Sequence, residues 1–165
     1  MTKIILLLSA VLLSHFSFSQ KKKDLKNAGI RAITVTETKG DKTFTDEKTL
    51  YNNEGEITKQ TNYDKEGKLK SITKYKYNKK GDVIEETEYN DKNILKEKKE
   101  IKYNIIHKKT EEIISNKDNI VLKKIVFTYN TNGLKKERKS YDSLNNLIST
   151  KNYNYSYKKA EDEED

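Results

Sequence analysis

His107, in the stretch YNIIHKK, is the one histidine beyond residue 20, so acid–base or metal chemistry in this chain would have to start there. A zinc or acid–base site needs that imidazole beside further nitrogen, sulfur or carboxylate groups. The sequence contains no cysteine, which excludes thiolate ligands, thiol nucleophiles and disulfides together. The carboxylate pairs Glu85–Glu86 and Glu111–Glu112 are adjacent in segments that alternate like strands, where neighbours project to opposite faces. Such pairs are poorly placed to flank one bond as acid and base unless a cross-strand carboxylate joins one of them. Ser71, Ser115 and Ser149 also lie in strand-like segments without a histidine beside them, and no glycine-rich phosphate loop occurs. These residue types point to a chain without catalysis and without a cofactor.

What the sequence does repeat is tyrosine. Tyr51, Tyr77, Tyr103, Tyr129 and Tyr155 stand 26 residues apart, and Tyr63, Tyr89, Ser115 and Tyr141 form a second series with the same period. Four residues after the first eight landmarks come Gly55, Gly67, Gly81, Asn93, His107, Asn119, Gly133 and Asn145. Glycine, and to a lesser degree asparagine and histidine, tolerates the left-handed backbone of a tight turn. His107 is therefore read as a turn residue. The tyrosines are read as structural residues beside the turns, with a ligand-stacking row as the alternative.

A fixed internal period defines a repeat architecture. Between the turns run Val-, Ile-, Thr- and Tyr-rich segments without proline, which read as strands. They are expected near 30–38, 42–51, 56–63, 68–77, 82–89, 94–103, 108–115, 120–129, 134–141 and 146–155. Loops this short join only antiparallel neighbours. The expected fold is all-β, an antiparallel meander of about ten strands built from 26-residue hairpins. Alternation groups Leu69, Tyr75 and Tyr77 with Val83, Thr87, Tyr89, Leu95, Ile101, Tyr103, Val121, Ile125, Phe127 and Tyr129 on one apolar face. Lys59, Glu85, Glu97, Lys99, Lys123 and Glu137 would then also point inward, which argues for an open twisted or curled sheet over the alternative, an up-and-down barrel.

YDKEGKL resembles the Tyr-Asp-x-x-Gly-x-Leu core of the YD repeat of large bacterial surface and toxin-associated proteins. Tyr63, Asp64, Gly67 and Leu69 carry the full pattern. Tyr51, Gly55 and Ile57 carry it with Asn52 in the Asp place, and Tyr77, Gly81 and Val83 with Asn78. Tyr141, Asp142 and Leu147 match with Asn145 replacing glycine; the resemblance runs from about residue 49 to 155. It implies a curved β-sheet and surface partners. The chain is also similar to small exported repeat proteins of Bacteroidetes type, including MORN-like repeats.

The ends have their own character. Residues 1–19, with Lys3 and an apolar run from Ile4 to Leu13, read as a secretory signal peptide. Residues 20–29 read as a flexible leader, 30–157 as the repeat domain and 158–165, with its AEDEED run, as an acidic disordered tail. The net charge of +8 is carried almost wholly by lysine, with Arg31 and Arg138 the exceptions. Lys and Glu alternate along the strands, which suits a solvated face better than a phosphate track and argues against nucleic acid. No segment of the mature chain reads as a transmembrane helix. The expectation is an exported, periplasmic or extracellular, non-catalytic interaction module, contacting a protein or envelope polysaccharide and able to self-associate through sheet edges. A binding protein for a small hydrophobic or carbohydrate ligand is the alternative. Asp142-Ser143-Leu144 resembles the short O-glycosylation site of exported Bacteroidetes proteins, which marks Ser143.

Overall fold

The computed structural model describes residues 18–156; residues 1–17 of the expected signal peptide and the acidic tail from 158 lie outside them. Among the described residues one helix, α1 (Phe18–Asn27), precedes ten strands. The strands are β1 (Ala32–Lys39), β2 (Lys42–Tyr51), β3 (Ile57–Tyr63), β4 (Leu69–Tyr77), β5 (Val83–Asn90), β6 (Leu95–Tyr103), β7 (Lys109–Ser115), β8 (Val121–Tyr129), β9 (Lys135–Tyr141) and β10 (Leu147–Asn152). They form a single antiparallel sheet in sequence order, β1 to β10, with no closure between the first and last strands. The sheet is the open meander expected from the repeat, and the barrel alternative falls. The last strand ends at Asn152, three residues before the expected 155.

One turn design recurs eight times. After Tyr63, the Asp64 backbone N–H donates to the Lys68 carbonyl (2.9 Å) and the Gly67 N–H donates to the Asp64 carbonyl (3.0 Å). The Asp64 carboxylate accepts the N–H of Glu66 (2.8 Å) and of Lys68 (2.9 Å). This is a three-residue hairpin loop ending in a left-handed residue and braced by an Asx side chain. Asn52, Asn78, Asn90, Asn104, Asn116 and Asp142 brace their turns with the same two acceptor bonds. Asn130 accepts the Leu134 N–H. The residue four after each landmark has positive φ in every case, including Asn93, His107, Asn119 and Asn145.

Each turn is followed by a shift in pairing that the alternation pattern did not reveal. Tyr63 faces Leu69, yet Asn62 faces Ser71, so Lys70 is an extra residue. Equivalent bulges fall at Thr58, Ile84, Lys96, Thr110, Leu122, Lys136 and Ile148. A bulge reverses side-chain parity within its strand. Leu69 therefore lies on the Tyr63 face, while Ser71, Thr73, Tyr75 and Tyr77 lie on the opposite one. The single apolar face expected from alternation is corrected accordingly. Tyr51, Tyr77, Tyr103 and Tyr129 share one face at one end of the sheet, with Tyr155 continuing their row. Tyr63, Tyr89, Ser115 and Tyr141 share the other face at the other end. Lys59, Glu85 and Glu137 lie on the Tyr63 face, whereas Glu97, Lys99 and Lys123 lie on the Tyr77 face.

The second correction concerns residues 20–29, which are not a flexible leader: α1 occupies most of them. The helix stops at Gly29 (φ 66°), where the Gly29 and Ile30 amides donate to the Lys26 and Leu25 carbonyls. Leu25 is only 7% exposed, and Lys22 and Lys26 pair with Glu56 (2.6 Å) and Glu54 (2.5 Å) of the first repeat turn. Among the described residues the buried hydrophobic side chains are Leu25, Ile101, Ile125 and Phe127. So thin a core leaves ladder hydrogen bonds, turn bracing and cross-strand pairs to hold one layer together.

Candidate interaction surfaces

The regular tyrosine row is tied into the backbone. Tyr77, Tyr103, Tyr129 and Tyr155 donate their hydroxyls to the carbonyls of Ile57, Val83, Lys109 and Lys135 at 2.7–2.9 Å, each reaching back 20 residues. The first three bonds join the end of one strand to the start of the preceding one, and Tyr155, three residues past the end of β10, reaches the start of β9 in the same way. Burial, with the Glu56 charge next, pushes the Tyr77 phenol up to about 12. Burial raises Tyr51, Tyr103 and Tyr129 as well. Tyr77, Tyr103 and Tyr129 are partly buried rings whose hydroxyls are already bonded, and they act as struts along this row.

Glycine at the turns has two uses. At Gly67 a side chain would meet nothing within 4 Å, and the residue supplies backbone conformation alone. At Gly55 a Cβ would lie 2.5 Å from the Lys22 carbonyl oxygen, so glycine also permits the helix to rest on the turn. Gly81 lies beside the Lys22–Glu56 pair, and Gly133 is close only to the Lys108 side chain. Beneath α1, a cleft of about 150 Å³ is lined by Leu25, Tyr51, Ile57, Tyr77 and Val83.

The groups singled out for chemistry are dispersed by the sheet. His107 is a turn residue (φ 59°), and its Nδ1 stands 2.9 Å from Asp82 Oδ2 in the neighbouring turn. The Asn78 amide, and then His107, hold the Asp82 carboxyl below the usual carboxylate range. Glu85 pairs with Lys76 on the Tyr63 face, and Glu86 with Lys99 on the Tyr77 face. Burial opposes the Lys99 charge, but Glu86 outweighs it and raises the amine's pKa. Glu111 and Glu112 divide likewise between Lys102 and Lys109. Ser115 and Ser140 are buried. Among the described residues no group of three potential metal-binding side chains converges, and no helix is long and apolar enough to cross a membrane.

Besides the mostly exposed β1 edge and a depression of about 490 Å³ around Tyr103, two further surfaces are open. Every residue of the edge strand β10 is exposed, and Leu144 (80%), Leu147 (54%) and Ile148 (59%) gather around its start. Ile120 and Leu122, at the preceding turn on the same end, are exposed as well. Ser143 sits between Asp142 and Leu144 in the last repeat turn. The other surface is a depression of about 330 Å³ on the Tyr63 face, lined by Lys48, Leu50, Lys59, Thr61, Tyr63, Leu69 and Ile72. Sequence reasoning missed both the Gly55 helix seat and this depression. The first is hinted at only by Leu25 within a polar run, and the second depends on the bulge at Lys70.

Comparison with protein-family models gives no match, and neither does comparison with curated proteins. Among solved structures, a porin-like protein from Bacteroides uniformis is similar at TM-score 0.42 and 16% identity, over 76% of this chain. This chain spans about half of that protein (51%). A protein of unknown function from Bacteroides fragilis aligns at TM-score 0.40 and 15% identity, covering 77% of this chain and 95% of the other. TarM from S. aureus aligns at TM-score 0.29 and 15% identity, over 81% of this chain and 24% of TarM.

Proposed function

We propose that this chain is an exported, non-catalytic interaction module built from YD-like hairpin repeats, and that the β10 edge is its contact surface for a protein partner in the envelope or outside the cell. The observation that carries this reading is the edge itself. Among the described residues, β10 presents one row of backbone donors and acceptors with no neighbouring strand, and all six of its residues are exposed. Leu144, Leu147 and Ile148 supply apolar anchors beside it. An extended segment can add to such an edge by main-chain hydrogen bonds, with side-chain anchors setting the choice of partner. The non-catalytic half of the reading is supported by the dispersal of the carboxylates, which sit in ion pairs on opposite faces.

The test places a photo-crosslinking benzoylphenylalanine at Thr150 in β10 and, separately, at Thr87 in the middle of the sheet. The Thr150 probe is expected to give a discrete adduct in the envelope or secreted fraction, the Thr87 probe none, and Ile148→Lys to abolish the first. An adduct of twice the chain mass assigns the edge to self-pairing. No adduct at Thr150, or equal labelling at both positions, overturns the reading.

A further inference from the structure

The Tyr63 face carries an electrostatic defect. Lys59 on β3 and Lys74 on β4 are direct cross-strand partners, an arrangement that destabilises a sheet when both residues carry the same charge. Two other cation pairs stand directly opposite each other, Lys39 with Lys42 and Arg138 with Lys151. Lys39 is neutralised by Glu37 at 2.9 Å. Neither Lys59 nor Lys74 makes an ion pair among the described residues, although Lys76, two residues further along the same face of β4, is matched by Glu85 at 2.6 Å. Lys48, diagonal to Lys59 across β2, is also without a carboxylate partner among the described residues.

What distinguishes Lys59 and Lys74 from Arg138 and Lys151 is their surroundings. Lys48 and Lys59 are in the lining of the depression, and Lys74 stands directly across from Lys59 at its rim. Its floor is apolar: Leu50, Leu69 and Ile72, with the Tyr63 ring at one side and the Thr61 hydroxyl group in the middle. Leu69 reaches this face only because Lys70 is a bulge residue. Lys74 also stands 4.6 Å from the centre of the Tyr89 ring, which holds its ammonium over this face. Apolar floor and unmatched ammonium rim together define an amphipathic site with a deficit of negative charge.

We propose that this depression binds a small amphipathic anion, a carboxylate or phosphate monoester on a short hydrocarbon or aromatic body. The body lies on Leu50, Leu69 and Ile72, and the anionic head is shared by Lys59 and Lys74, with Lys48 as a third donor. The head converts the repulsion between the two lysines into two charge-assisted hydrogen bonds. This site is on a face and strands distinct from the β10 edge, so it stands or falls independently of the partner assigned to that edge.

The test is titration of the purified full chain with the fluorescent dye anilinonaphthalene sulfonate, followed by displacement with decanoate, decyl phosphate or decanol below micellar concentrations. Decanoate and decyl phosphate are expected to displace the dye, whereas decanol is expected to displace it at least about tenfold less well, the difference expected of one charge-assisted hydrogen bond. K59Q/K74Q should weaken decanoate by about tenfold or more, and R138Q/K151Q should leave it unchanged. Thermal unfolding of unliganded K59Q/K74Q should stay cooperative, since the substitution removes a like-charge pair along with the Lys74–Tyr89 contact and leaves the sheet ladder intact. The proposal is overturned by equal displacement by decanol and decanoate, by decanoate affinity unchanged in K59Q/K74Q, or by equal losses in the two double variants.

Discussion

Gly55→Asn and Gly67→Asn form a matched pair that isolates what holds α1 to the sheet. Both glycines occupy the same left-handed turn position (φ 75° and 78°), and asparagine fills that position at Asn93, Asn119 and Asn145. The backbone contribution therefore largely cancels between the two variants. The difference is steric: a Cβ at position 67 meets nothing, whereas at position 55 it would lie 2.5 Å from Lys22 O and 3.3 Å from Lys26 N. Helix backbone cannot move aside locally, so α1 must lift. Lifting exposes Leu25, whose burial is worth about 1.5–3 kcal/mol. The ion pair between Lys26 and Glu54 is exposed on both sides and adds little. A detached helix of this length is below the roughly 12–15 residues at which isolated helices become even marginal, so it melts. At about 1.4 kcal/mol per tenfold, the Ala28 and Ile30 amides, which bond to Asp24 and Leu25, should lose about 10- to 100-fold of their hydrogen-exchange protection in Gly55→Asn. Strand amides and the Gly67→Asn variant should retain theirs. Equal protection of Ala28 and Ile30 in both variants would refute the seat.

Removing one turn brace, Asn104→Ala, deletes the acceptor for the Ile106 and Lys108 amides and should cost about 0.5–2 kcal/mol in urea unfolding, while Asn104→Asp should change little because Asp64 and Asp142 do the same work. Tyr103→Phe should cost about 0.5–1.5 kcal/mol by leaving the Val83 carbonyl without the phenol, and Tyr103→Ala clearly more through loss of the ring. Acid stability follows the carboxylates. Backbone N–H groups of Lys68 and Glu66 hold Asp64 low, that of Asn146 holds Asp142 low, and Asn78 followed by His107 holds Asp82 low. Depressed folded values give stability that is present above the unfolded pKa of about 4 and lost as pH falls through the folded values, so urea midpoints should drop below pH 4. Asp64→Asn, which keeps the turn geometry, should flatten that drop. At the alkaline end the sign reverses. Tyr77 titrates at about 12 when folded, so its contribution is complete below pH 10 and lost as pH climbs from 10 to 12; Tyr77→Phe should reduce that limb.

The 26-residue period, the ten antiparallel strands and the eight positive-φ positions were legible in the residues, because turns are local. A landmark, an Asx residue and a left-handed residue four positions on determine a hairpin within six residues of chain. His107 illustrates this, since its spacing alone assigned it to a turn. The face of each side chain was not legible, because a bulge exists only relative to a pairing partner. Nothing in LKSITKYKY distinguishes Lys70 as the extra residue until Tyr63 is seen opposite Leu69 and Asn62 opposite Ser71. That slip of one residue per turn separates the two tyrosine rows onto opposite faces and assembles Leu50, Leu69 and Ile72 under Lys59 and Lys74. In the same way QKKKDLKN is too polar to announce a helix. Only the space above Gly55, into which Leu25 and the Lys22 carbonyl fit, makes the helical conformation worth adopting.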